Sequence, residues 1–151
     1  MEEVKLFTDG ACSKNPGPGG CVCIMKFGEH RKIVTAGFKK TTNNRMELMA
    51  AIIGLEAMKR TDVKVTLHSD SKYVVDSINK GWVYNWEKND FYNRTNADLF
   101  IRFLKIYRTF PNIDIVWVKG HSGHAENEDC DMMAVSISVG NPQTEDTGYK
   151  E

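Results

Sequence analysis

Four carboxylates and one histidine stand where the chain changes direction. Asp9 closes the apolar run Val4–Thr8, and Asp70 closes the alternating run Val63–Ser69. A helical crossover between those runs makes them parallel neighbours, which puts both acids on one edge of a sheet, where ligands of open α/β sheets commonly sit. Glu47 is expected in the first turn of the most strongly patterned helix, and Asp131 in the first turns of the last one. Crowded carboxylates repel and raise one another's pKa, so they persist together when they share a cation. Ligands that are all oxygen suit Mg²⁺ or Mn²⁺ rather than zinc or copper. Two such ions ~4 Å apart clamp the attacking and leaving oxygens of a phosphodiester, giving hydrolysis without a covalent enzyme intermediate. The plainer alternative also fits each acid singly: Glu47 and Asp131 complement a helix dipole, while Asp9 and Asp70 form turns.

The elements that must position these side chains can be read from periodicity. Val4–Asp9, Cys21–Phe27 and Lys32–Phe38 read as three strands in a meander, with Asn15–Gly20 a cluster suited to bends. After the capping residues Thr41–Asn44, the spacing of Met46, Leu48, Met49, Ile52, Ile53, Leu55 and Met58 predicts a helix. The run ending at Asp70 is a fourth strand, Lys72–Asn79 a short helix closed by Gly81, and Leu99–Phe110 a helix stopped by Pro111. Between them, Gly81–Asp98 is polar and aromatic without clear period. Ile113–Val118 is a last strand, the loop Lys119–His124 follows, and a final helix spans Asn127–Val139. One α/β domain over residues 1–142 is expected, with a mixed five-stranded sheet flanked by helices and a loosely ordered tail at 143–151.

Composition sets the outer limits. In 151 residues, a hydrophobic fraction of 41% and a charged fraction of 26% exclude disorder as the main state. The start Met1-Glu2-Glu3 lacks the basic and apolar regions of an export signal, and apolar runs fall short of a membrane span. Cys12, Cys21, Cys23 and Cys130 lack C-x-x-C spacing and read as reduced thiols, so a cytoplasmic location is expected. Twenty basic residues balance twenty acidic ones. Locally, 26–64 holds nine basic against four acidic residues, and 126–151 seven acidic against one basic, so a basic face and an acidic end are expected.

Six ordered strings are similar to type 1 ribonuclease H of bacteria: Phe7-Thr8-Asp9-Gly10, Asn15–Gly20, Thr41–Ala51, Ser69-Asp70-Ser71, Trp117–His121 and Asn127–Asp131. The likeness runs through nearly the whole chain and implies a ribonuclease H-like fold, hydrolysis of the RNA strand of RNA–DNA hybrids, and 5′-phosphate and 3′-hydroxyl products. It also implies two Mg²⁺ per site with substrate, with Mn²⁺ as a substitute. By the same resemblance Asp9 bridges both ions, Glu47 and Asp70 complete one site and Asp131 the other. His121 resembles the family's mobile histidine, a role that suits a group titrating near neutral pH. Asn15, Asn43 and Asn44 match positions that read the RNA 2′-hydroxyl, and Thr42 matches a phosphate pocket on the DNA strand. Lys72 stands where relatives often carry glutamine, keeping a polar substrate contact. His68 and His124 are left as ordinary histidines.

Two departures from the family pattern matter. Many bacterial relatives grip the hybrid with a basic protrusion, whereas Gly81–Asp98 has only Lys88 and Arg94 against Glu87, Asp90 and Asp98. Weaker binding with a shallower salt dependence is therefore expected. Met132-Met133 replace a polar residue and leucine after Asp131 without removing an expected ligand. A monomer acting on RNA–DNA hybrid, without a membrane partner, is expected. The alternatives are a weakly catalytic or non-catalytic nucleic-acid-binding module of the same fold, or another substrate, as in the related integrases, transposases and junction resolvases.

Overall fold

The computed structural model describes residues 2–120 and 125–150. Its sheet opens with the expected antiparallel meander: β1 (Glu3–Cys12), β2 (Gly17–Phe27) and β3 (His30–Thr41). Helix α1 (Asn43–Glu56) then crosses over to β4 (Lys64–Ser69), which lies parallel to β1. Helices α2 (Lys72–Asn79), α3 (Trp82–Lys88) and α4 (Ala97–Tyr107) lead to β5 (Ile113–Trp117), parallel to β4, and α5 (Ala125–Val139) follows. The strand order is β3-β2-β1-β4-β5, the mixed sheet expected from sequence.

Both faces of β2 are covered, which is why Cys21–Ile24 is a continuous apolar run rather than an alternating one. Cys21 and Cys23 join the larger core beneath α1 with Leu6, Met46, Ile52, Phe100 and Phe103. Val22 and Ile24 face Cys130 and Ala134 of α5. Helix α1 is buried on nearly every side because α4 packs behind it, and it begins at Thr42, whose hydroxyl accepts the Arg45 N–H at 3.3 Å. All four cysteines are free. Burial lifts the Cys12 thiol to about 11 and those of Cys21 and Cys130 to about 12, so they pack as neutral groups.

Three sequence expectations need correction. Gly17–Gly20 is not a bend but the first part of β2; at Gly20 a side chain would collide with the Ala134 carbonyl and Ile137 of α5, so glycine there is a packing requirement. The aperiodic stretch after Gly81 contains α3, whose seven residues are too few to display a period. Its Val83 is buried and its Trp86 meets Phe100 edge-on at 5.2 Å. The tail, expected to be loose, is tied down without regular structure: Lys39 N–H donates to the Thr144 carbonyl at 2.8 Å, and Asp146 accepts from Thr41 Oγ1 at 2.6 Å. Its anchor is Arg45, 2% exposed, which donates to Asp146 (2.7 and 2.9 Å) and to Asp98 (both 2.8 Å). A buried guanidinium must be paired, and the tail supplies half of the pairing. Among the described residues, no helix is long and apolar enough to cross a membrane.

Candidate active site

The β1–β4 register sets the first two acids side by side. Phe7 pairs with His68, so two residues further along the parallel strands Asp9 and Asp70 emerge together at the sheet edge. Glu47 reaches them from α1, and oxygen atoms of Asp9, Glu47 and Asp70 all lie within 4.8 Å of one another. Gly10 makes this approach possible, because any side chain there would strike the backbone of Met46 and Glu47. Its N–H donates to Glu47 Oε1 at 2.7 Å and to Asp9 Oδ1 at 2.9 Å, fixing both carboxyl groups. Glu47 is the fifth residue of α1 and not in its first turn, which corrects the sequence expectation and removes the helix-dipole explanation for it.

Asp131 stands outside this triad. It lies in the second turn of α5, which is held on β1 by the Cys130 thiol donating to the Phe7 carbonyl at 3.1 Å. From there its charge still acts on Asp9. Burial pushes Asp9 up to about 7; the hydrogen bond with Glu47 works against that rise, while the charges of Asp70 and Asp131 add to it. Glu47 is pushed well above the ordinary carboxyl range, first by burial and then by the charges of Asp9 and Asp70. Without a cation, burial and mutual repulsion therefore favour the protonated form of Asp9 and Glu47. Asp70 Oδ1 is buried without a hydrogen-bond partner among the described residues, a costly state for a carboxylate oxygen unless something else binds it. An all-oxygen donor set with one unsatisfied member fits a hard divalent cation.

Around the triad the other expected residues fall at the start of α1 and beside β5. Asn15 Oδ1 accepts the Asn43 N–H at 3.1 Å, and Asn43 Oδ1 accepts the Cys12 N–H at 2.9 Å. Both amide oxygens are thus used to lock the loop to the helix. Asn44 is exposed beside them. Lys72 stands 4.9 Å above the Trp117 ring, and Trp117 Nε1 donates to the Asp70 carbonyl at 3.2 Å. Trp117 was not singled out from sequence; its place at the end of the strand next to the one bearing Asp70 was the available signal. His68 is structural, with Nδ1 3.1 Å from the Leu6 carbonyl and its ring stacked on Phe7. His121 and His124 lie outside the described residues.

A mixed five-stranded sheet presenting three converging carboxylates at its edge defines an α/β protein with a donor set that could hold a metal ion. Comparison with known proteins narrows the class. Residues 1–138 match the sequence profile of the family described as RNase H. The chain is 49% identical over 143 residues to ribonuclease H of Desulforamulus reducens, covering 91% of this chain and 89% of that one. It is 44% identical over 155 residues to ribonuclease HI of Pasteurella multocida, covering 99% and 98%. The crystal structure of LC9-RNase H1, described as a type 1 RNase H with the type 2 active-site motif, superposes with a TM-score of 0.83 at 28% identity, covering 95% of this chain and 75% of that one. The chain belongs to the ribonuclease H family, and is an endoribonuclease by that membership.

Proposed function

We propose that this protein hydrolyses the RNA strand of RNA–DNA hybrids, leaving 5′-phosphate and 3′-hydroxyl ends. The observation that carries the reading is the convergence of Asp9, Glu47 and Asp70 carboxylate oxygens, together with the unsatisfied Asp70 Oδ1. Asp9, Glu47 and Asp70 would hold one divalent ion, Mg²⁺ or Mn²⁺, and Asp131 would help to hold a second. When bound, such ions supply Lewis-acid stabilisation of the attacking and leaving oxygens of an in-line displacement.

The chain's own groups do the rest. Gly10 N–H fixes the Asp9 and Glu47 carboxyl groups, so little reorganisation accompanies the reaction. The amide groups of Asn15, Asn43 and Asn44 border the site and discriminate RNA by its 2′-hydroxyl, a donor and acceptor that DNA lacks. Thr42 offers a hydroxyl to a phosphate of the DNA strand, and Lys72 a charge to the strand beside Asp70. His121 takes part in proton transfer or product departure. A cytoplasmic setting is supported by the four free thiols.

The test is incubation of labelled RNA–DNA hybrid, duplex DNA and duplex RNA with the protein, in Mg²⁺ or in EDTA. Cutting confined to the RNA strand of the hybrid and to Mg²⁺ is expected. Binding without products would instead establish a binding module, and cutting of duplex DNA would move the assignment to the DNA-acting relatives of the fold.

A further inference from the structure

The Gly10 N–H orders the carboxyl groups of Asp9 and Glu47 but not that of Asp70, whose Oδ1 is unsatisfied among the described residues. Asp70 is held through its backbone. Its carbonyl accepts the indole N–H of Trp117 at 3.2 Å, and Val118 N–H, one residue further on, donates to the Ser69 carbonyl at 2.9 Å. The chain then passes close to the carboxyl group: a Cβ at Gly120 would lie 3.0 Å from Asp70 Oδ2. The segment that leaves β5 therefore brackets Asp70 from two sides.

Core packing does not account for tryptophan at this position. Trp117 belongs to neither core cluster, and it is 43% exposed. An indole offers one N–H donor and one π-face, and here both are engaged. The N–H is on Asp70, and the Lys72 ammonium stands 4.9 Å over the ring. Lys72 opens α2 directly after its cap Ser71, is exposed, and pairs with no carboxylate among the described residues. A free lysine side chain samples many rotamers, and a ring beneath the ammonium narrows them without consuming its N–H donors. One side chain thus touches both the backbone of a carboxylate residue and the cation beside it.

We propose that Trp117 is a positioning residue for hybrid cleavage, one indole setting both Asp70 and Lys72. Its N–H fixes the Asp70 backbone, and with it the approach of the Asp70 carboxylate to Asp9 and Glu47. Its face holds the Lys72 ammonium beside that carboxylate, ready for the nucleic-acid strand. The inference rests on the nuclease reading above and adds to it a residue that acts through its neighbours. The two holds use different parts of the ring, so they can be removed separately: loss of the N–H acts on turnover, and loss of the face acts on binding.

The test compares wild-type protein with W117F, W117A, K72A and the double variant W117A/K72A. Hybrid affinity is measured in EDTA, kcat and KM in Mg²⁺, and the Mg²⁺ concentration for half-maximal rate by titration. W117F keeps a ring for Lys72 but loses the N–H, so kcat is expected to fall about ten-fold, the worth of one hydrogen bond. Its Mg²⁺ midpoint should rise, while hybrid affinity in EDTA should change by less than about two-fold. K72A and W117A should each raise Kd in EDTA about three-fold, the worth of an exposed cation–π contact. The double variant should bind no worse than either, because Lys72 without the ring is no longer placed. W117F that cuts at the wild-type rate with the wild-type Mg²⁺ midpoint would overturn the proposal, whether or not its melting temperature drops. A double variant whose Kd rises by the product of the single effects, about nine-fold, would overturn it too, since the two residues would then act independently. Wild-type protein that binds hybrid without cutting it would sink the nuclease reading and the Asp70 half of the proposal together, and the affinities in EDTA would still decide the hold on Lys72. Failure of the proposal alone leaves wild-type cutting intact, so the two failures are distinct.

Discussion

Asp9 is a buried acid whose ionisation works against stability. Burial holds its carboxyl near 7, far above the ordinary value near 3.9, so between those limits the folded protein binds a proton that the unfolded chain does not. Metal-free protein is therefore expected to lose stability as pH rises from about 4 to about 7, and the raised Glu47 adds a loss in the same direction. Asp9→Asn should abolish cutting, and at pH 8 without metal it should raise the unfolding free energy by on the order of 2 kcal/mol. Urea melts of both proteins at pH 5 and pH 8 check this; a variant that is active, or less stable than wild type at pH 8, removes Asp9 from its role. Mg²⁺ should restore wild-type stability at pH 8 but not that of Asp9→Asn, since an ion stabilises only a state that binds it. Asp9 and Asp70 were legible in sequence because acids ending apolar strands stand out. That Asp131 stays outside the triad was not, because helix spacing fixes a face but not the distance between elements.

At the level of elements, sequence failed where a residue's local habit was overruled by a tertiary neighbour. Proline and glycine at 16–20 suggest a bend, yet Gly20 is a strand residue because α5 leaves no room for a side chain. The tail 143–150 has no period or capping signal, and its order comes from a partner a hundred residues away. Arg45 itself sits on a helix that reads as apolar, so a charged residue there would be taken as solvent-facing. Its two acids are not equivalent: the Asp146 side chain is 3% exposed and that of Asp98 45%. Removing one partner of a buried pair strands a charge and costs ~3–5 kcal/mol, whereas an exposed pair is worth ~1 kcal/mol or less. Asp146→Ala should thus destabilise by about 3 kcal/mol and Asp98→Ala by about 1, measured by urea denaturation. Equal losses would mean that the tail is not what secures Arg45. A Gly20→Val change should be worse still, since α5 would be levered off β2 and Asp131 with it.

Across the whole molecule twenty basic residues balance twenty acidic ones, and internal ion pairs take up five of the six arginines. The acidic start of α5 is met by the β2–β3 hairpin, with Lys26 to Glu126 at 2.7 Å and Arg31 to Asp129 at 2.8 Å. Glu87 and Arg108 neutralise each other on α3 and the end of α4, so the region where many relatives carry a basic protrusion projects little field. Association with a polyanion is then expected to depend on a few local contacts and not on long-range attraction. Each phosphate neutralised adds about 0.9 to the slope of log affinity against log salt. A slope of about −2 to −4 is expected here, against a steeper one for a relative whose protrusion carries several lysines. The same difference should appear in association rate, which falls with ionic strength less for this chain than for that relative. Hybrid binding measured for both proteins from 50 to 300 mM NaCl decides the matter: equal slopes would mean that pairing within this fold leaves as many cations for the substrate as a basic arm provides.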